Sequence, residues 1–258
     1  DNRHFFDITT GEYTRDDLHP AERKLLAHFH GRWHDVRMLD LGVGTGRTAF
    51  TFAPLVKEYV GIDYSQPMID ICRRRFGESP AVQFVVADAT DLSAFDGRQF
   101  DLILFSYNGI DYVDEAGRLA ILRGVRHLLN SDGGVFLFST HSLLNYPFAF
   151  EAPPFRLARP LRSAVARVRH WLFMRRVARV NRGVPAEEAH RKGVAFLHDD
   201  GDRRLLTCYV LPHYQLEQLK QCGFEVVSLL NHSGETVSPD APGRDEWLHY
   251  LCRAGRGS

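Results

Sequence analysis

The chain has 258 residues, 44% of them hydrophobic, which is enough for one large core or two small ones. Its 32 Lys and Arg balance 32 Asp and Glu, so a globally basic nucleic-acid binder is disfavoured. Cys72, Cys208, Cys222 and Cys252 are scattered with no C-x-x-C pair, which points to buried thiols in a reducing, cytoplasmic setting and away from a disulfide frame or a zinc site.

Opening at Asp1 without a Met, the chain shows no basic-then-apolar signal segment, and a start upstream is expected. No apolar run approaches the roughly 18 residues of a membrane helix. Residues 20–31, opening on Pro20 and carrying Leu25, Leu26 and Phe29, read as an amphipathic helix. Residues 36–41 predict a strand, 47–55 a helix and 58–62 a second strand. Pro67 lies at the start of a helix running through Met68, Ile69 and Ile71 towards Gly77. Residues 82–86 predict a third strand. The almost wholly apolar run 100–105 predicts a fourth, buried on both faces as in a parallel sheet. A helix over 116–129, a turn over 130–134 and a fifth strand over 135–138 follow.

The rhythm breaks at 141–203, where Pro147, Pro153, Pro154, Pro160 and Pro185 fall. It returns with a strand over 205–211, a helix over 213–222, and strands over 224–230 and 247–252. The break is read as an insertion capping the active edge of a single domain spanning 1–258, too short and proline-broken to hold much core of its own. The closing Arg253-Ala254-Gly255-Arg256-Gly257-Ser258 reads as a disordered end.

Met38-Leu39-Asp40-Leu41-Gly42-Val43-Gly44-Thr45-Gly46 carries the most information. An apolar strand runs into three glycines at alternate positions, and a helix follows. Without Cβ atoms, Gly42, Gly44 and Gly46 let a flat polar ligand sit on the backbone, facing the free N–H groups of the helix start. The second strand ends in Asp63, placed to accept hydrogen bonds from both hydroxyls of a ribose. The spacing is G-x-G-x-G, not the G-x-G-x-x-G of dinucleotide sites, and Asp40 beside it would repel a pyrophosphate. An ammonium or a sulfonium suits that acid, and S-adenosylmethionine (SAM) carries both without a phosphate.

This combination resembles the first motif of the class I SAM-dependent methyltransferases, over residues 20–140 and 213–253. The resemblance implies a doubly wound, mostly parallel seven-stranded α/β sheet with helices on both faces and its final strand antiparallel, the insertion following the fifth strand. It further implies that Asp88, beside Ala89 at the end of the third strand, accepts from the adenine amine, and that carbonyls near Ser106 and Tyr107 reach the methionine amine. Asp88 also reads as a helix cap, with Asp91 the better cap. Met68 packs on the adenine or sits in the core. Tyr13 either folds over the cofactor as a lid or anchors the N-terminal arm.

Methyl transfer is an in-line displacement in which the protein positions the acceptor, excludes water and sometimes removes a proton. His141, after the fifth strand, is the first candidate for a base or acceptor-binding residue; a structural histidine is the competing reading. Asp111 orients that histidine, binds the acceptor or caps the next helix, and Tyr107 and Asn108 are candidate pocket walls. His198-Asp199-Asp200 meets the acceptor from above or belongs to a hairpin turn. His30 and His34 lack an intervening Glu, so no metal is expected. The segment 107–112, with 139–141, is similar to enzymes of bacterial surface-glycan and natural-product pathways, which implies a small-molecule or glycan acceptor methylated at oxygen or nitrogen.

Nine arginines and no acid lie between Pro154 and Gly183, interleaved with Val165, Val168, Leu172, Phe173, Val177 and Val180. Such a stretch suits an anionic membrane surface, an anionic substrate, a nucleic acid, which the acidity left in the rest of the neutral chain disfavours, or a cap helix packed on the sheet with its arginines in water. The competing functions are an NAD(P)-binding oxidoreductase, disfavoured by the glycine spacing and Asp40, and a non-enzymatic SAM-binding or interaction module.

Overall fold

Apolar runs without polar alternation make strands that must be covered on both faces. In the computed structural model, which describes residues 17–151, 154, 164–199 and 205–255, they form β1 (Arg37–Leu41), β2 (Glu58–Asp63), β3 (Val82–Val86), β4 (Leu102–Phe105) and β5 (Val135–Ser142). These pair in parallel in the order β3-β2-β1-β4-β5. β9 (Trp247–Ala254) runs antiparallel between β5 and β8 (Phe224–Leu230), completing a seven-stranded core. β9 continues through Ala254, Arg253 pairs with Glu225 and Gly255 N donates to Gly223 O at 2.8 Å, so the expected disordered end is not found over 253–255, and 256–258 lie outside the described residues.

Successive side chains of a strand point to opposite faces, and the two layers follow from that alternation. Met38, Leu102 and Leu104 pack with Leu25 of α1 (Pro20–His28), Phe52 of α2 (Arg47–Phe52) and Ile69 of α3 (Gln66–Phe76). Leu39, Leu41, Ile103 and Phe105 pack on the other face with Ile121 and Val125 of α4 (Glu115–Leu128) and Leu219 of α7 (Pro212–Gln221). The cap of α4 is Asp114, whose Oδ1 accepts from Gly117 N at 2.8 Å, and not Asp111. All four cysteines are free thiols, three of them buried.

The largest departure from the sequence reading concerns β5. Expected to end at Phe138, it runs on to Ser142, which puts His141 on the strand and not in a following loop. β4 flanks β5 only as far as Phe138, so the outgrown edge lacks a partner from the core. A hairpin of β6 (Val194–His198) and β7 (Leu206–Val210) fills it, with His141 opposite Tyr209 and Ser142 opposite Val210. The sequence reading has no β6: five residues between a helix and a turn give too short an alternation to stand out. With these two strands the sheet has nine.

The insertion also carries α5 (Ala164–Val180) and α6 (Ala186–Lys192). It holds a small core after all, because the hairpin supplies a wall for it: Leu143, Ala149, Val177, Ala189, Leu197 and Tyr209 are buried together. The expected packing of the α5 apolar stripe is only partly realised, since Val177 is buried while Val168, Leu172 and Phe173 are exposed.

Candidate active site

The glycine loop lies at the carboxyl end of β1. Gly42, Gly44 and Gly46 all adopt positive φ, which side chains disfavour. Their reasons for being glycine differ. A Cβ on Gly44 would meet nothing within 4 Å and would project into open space, whereas one on Gly42 would press on the Phe105 ring at 2.9 Å. A Cβ on Gly46 would clash with the Phe76 ring of α3. Gly46 accordingly serves close packing of α2 against α3 and is not among the residues lining the adjacent cavity.

That cavity measures about 550 Å³. Of the residues singled out from sequence, Asp40, Gly42, Gly44, Asp63, Met68, Asp88, Ala89, Ser106 and Tyr107 line it. His141 and Asp111 do not, and Tyr13 lies outside the described residues. Asp63 accepts from Gly44 N at 3.0 Å on one oxygen and from Ser65 N at 2.9 Å on the other, which fixes the carboxylate plane at the end of β2. Asp88 accepts from the backbone and the hydroxyl of Thr90 at 2.9 and 2.8 Å. Asp91 accepts from Ser93 N and holds the turn that follows.

Asp40 is buried, accepting from Thr48 Oγ1 and, at 2.6 Å, from Tyr59 OH. Burial pushes its carboxyl up to about 6, against the pull of those two hydroxyls. Glu22 shows the opposite balance. Burial disfavours its charge, yet the Arg47 guanidinium, bidentate at 2.7 and 2.6 Å, together with Ser106 Oγ and His19 N, holds its carboxyl below the ordinary range. Arg47 in turn covers the Tyr107 ring at 4.7 Å. Glu22 ties α1 to the cavity wall and was missed from sequence. Its signal was an acid at 18/22/25/29 spacing, in line with Leu18, Leu25 and Phe29 on the inward stripe.

A second cluster stands beyond Tyr107. Asp111, in the turn Gly109–Tyr112, is fully buried. One oxygen accepts from His141 N at 2.7 Å and faces His141 Nδ1 at 2.9 Å; the other accepts from Thr140 Oγ1 at 2.6 Å and from Arg118 Nη1. Arg118, also fully buried, bonds the Ile110 carbonyl and Gln215 Oε1 as well. With Nδ1 donating to the carboxylate, His141 Nε2 is the acceptor nitrogen, 3.2 Å from Asn108 Nδ2. Tyr107 and Asn108 hold positive φ values of 52° and 57°, and Asn108 N donates to Ser139 Oγ at 2.9 Å. Backbone strain of this kind persists only where neighbours enforce it.

Rings from distant positions surround this cluster. His19 lies 4.7 Å from Tyr107 and 5.3 Å from both Trp247 and His232, while Trp247 stacks on His141 at 6.3 Å. Burial lowers the His19 pKa, and lowers that of His249 to about 4, so both rings are neutral near pH 7. No sequence spacing joins these residues; β9 brings Trp247 opposite His141 and His249 opposite Ser139. His198 and Asp199 are engaged inside the hairpin, by the Leu205 carbonyl and by Thr207 Oγ1 respectively, and Asp200 lies outside the described residues.

Residues 38–133 match a family model described as "Methyltransferase domain". A demethylmenaquinone methyltransferase of Clavibacter sepedonicus is 41% identical over 71 residues, covering 28% of this chain and 29% of that protein. In three such curated relatives the chain spans 29%, 42% and 41% of the relative's length. Among solved structures, the CcbJ methyltransferase from Streptomyces caelestis superposes with a TM-score of 0.62 at 19% identity over 99% of this chain and 100% of that one. The glycopeptide N-methyltransferase MtfA, complexed with SAM, gives 0.54 at 19% identity over 93% and 88%. At these identities the structural likeness speaks for the fold.

Proposed function

Through residues 38–133 this chain belongs to the class I SAM-dependent methyltransferase family, and from that premise we propose that it moves a methyl group from SAM to an oxygen or nitrogen of a small molecule or glycan. One observation carries the proposal: Asp40, Asp63 and Asp88, from the ends of three adjacent strands, all line the cavity beside the glycine loop. Among the described residues the one arginine lining it, Arg47, is already engaged by Glu22. Three carboxylates repel a diphosphate and suit a cationic nucleoside.

The residues present fit such a group. Asp63 would hold the ribose hydroxyls, Asp88 the adenine amine, and the Asp40 end of the loop the methionine portion, with Met68 and Ala89 as apolar cover. When bound, SAM supplies a methyl on a sulfonium whose departure as a neutral thioether needs no acid. The protein's work then falls on the acceptor. His141 Nε2 would take the proton of a hydroxyl acceptor, or keep an amine acceptor neutral. Asp111 would fix the tautomer and stabilise the imidazolium, and Arg118 would hold Asp111 in place. Tyr107 and Asn108 form the wall between donor and base, and the β6–β7 hairpin closes the acceptor side as a cap. A nitrogen acceptor would parallel the glycopeptide N-methyltransferase MtfA, which this chain resembles in fold.

The test is a titration calorimetry pair, SAM against NAD, followed by a labelled-methyl screen over sugars, amines and short peptides. Heat with SAM alone and label on at least one acceptor class are expected. Preferential NAD binding would overturn the cofactor, and SAM binding with no labelled product across the screen would overturn the enzyme.

A further inference from the structure

Helix α5 is apolar on two sides and uses only one. Trp171, Met174 and Ala178 are partly covered and Val177 is buried in the insertion's core with Leu143 and Ala149. At about 100° per residue, Val168 and Leu172 project away from that stripe, and they are 38% and 50% exposed. Towards the C-terminus Arg179 continues the line of this ridge, with Arg175, and Arg182 just beyond the helix, on one side of it. Arg169 and Arg176 line the other, with Phe173, 37% exposed, outside them. α5 contains no Asp or Glu. Among the described residues, Arg169, Arg175, Arg179 and Arg182 have no ion-pair partner, and Arg175 covers the Trp171 ring at 4.8 Å.

A cleft of about 220 Å³ opens beside this ridge, lined by Phe150, Glu151, Arg175, Ala178, Arg179 and Arg182. It sets three guanidinium groups against one carboxylate. Like charges at i and i+4 on a helix repel, so this arrangement gains when an outside anion settles among them.

We propose that this face of α5 seats on an anionic lipid surface. Val168, Leu172 and Phe173 enter the headgroup–acyl boundary, and the two arginine rows engage lipid phosphates, one in the Arg175–Arg179–Arg182 cleft. The apolar ridge decides between occupants. A nucleic-acid backbone would satisfy the arginines and leave the ridge in water. A small free anion would fill the cleft and do the same. Only a bilayer surface offers phosphate and hydrocarbon side by side, and arginine stems reach upward from such a boundary while their heads stay among the phosphates. With zero formal net charge on the whole chain, the attraction is local and the docking reversible. It stands apart from the proposed reaction, because none of these side chains belongs to the cavity beside the glycine loop.

The experiment is co-sedimentation of the full chain with phosphatidylglycerol/phosphatidylcholine vesicles and with phosphatidylcholine vesicles, at low and high salt. Pelleting on the anionic vesicles alone, weakening with salt, is expected. The double variants Val168→Ser/Leu172→Ser and Arg175→Gln/Arg179→Gln alter exposed residues. Each should lower vesicle affinity by at least about tenfold with an unchanged thermal melt and unchanged SAM titration. Equal pelleting on neutral vesicles, no pelleting on either, or variants that bind like the parent would overturn the proposal. So would full displacement from vesicles by a double-stranded oligonucleotide, or by inorganic phosphate at matched ionic strength, which would assign the arginines to a free polyanion.

Discussion

The two halves of the sheet's carboxyl edge are built by opposite means. At β1, β2 and β3 the cavity is lined by residues at or just past the strand ends: Asp40 and the glycine loop, Asp63, and Asp88 with Thr90. At β5 and β9 the cluster is assembled across the chain. Asp111 meets His141 over a separation of 30 residues, Arg118 meets Gln215 over 97, and Trp247 arrives from the last strand. The first edge is a set of local turns that tolerates change elsewhere. The second is a buried ionic network whose members depend on one another, so disturbing one half should leave the other measurable.

Gly44→Val tests that independence most severely. The new branched side chain would occupy the cavity, at a φ of +56° that β-branched residues resist. SAM binding should vanish in calorimetry while the near-UV spectrum of the Trp247 region is kept; normal binding would move the cofactor site elsewhere. His141→Ala probes the other half. It should lower turnover by roughly 10²–10⁴-fold and leave SAM affinity intact, and full activity would leave the ring a structural role only.

Asp40→Asn separates the buried acids by the sign of their pH effect. The folded-state pKa of Asp40 is raised from 3.8 to about 6, so between these values the folded protein holds a proton that the unfolded chain has released. Its presence therefore costs stability as pH climbs through that window, reaching about 3 kcal/mol above it. The Asn variant should gain stability over the parent as pH rises from the lower value to the upper in urea melts; a constant difference would mean that the carboxyl is not raised. Glu22, held low by Arg47, contributes in the opposite sense and is unchanged in both proteins. The smallest effect is expected for Asp63→Ala, a loss of roughly 1–3 kcal/mol in SAM affinity from unpaired hydroxyl partners; an unaltered titration would take Asp63 out of the site.

The same contrast explains what was legible beforehand. The parallel core read well because its strands are mostly apolar and end in turn residues, and the residues at the ends of β1, β2 and β3 needed no partner to be recognised. Gly46 was grouped with the cavity because spacing cannot distinguish a glycine that faces a ligand from one pressed on by Phe76. The length of β5 was misread because Ser139-Thr140-His141-Ser142 is polar enough to resemble a loop. Those residues stay extended because β9 and β7 supply hydrogen bonds on either side. Glu22, His19 and His249 gave only faint local signals, since an acid or imidazole becomes a site residue through neighbours that the chain brings from elsewhere.

By itself, then, the sequence determined the alternating architecture and the donor half of the cleft, because both follow from periodicity and from backbone geometry within a few residues. The tertiary structure alone decided which buried carboxyl is raised and which is lowered, which histidine nitrogen faces Asp111, and which side of α5 is left exposed. Those properties depend on burial and on long-range pairing, where the energy of a charge is set by what lies a few ångströms away in space.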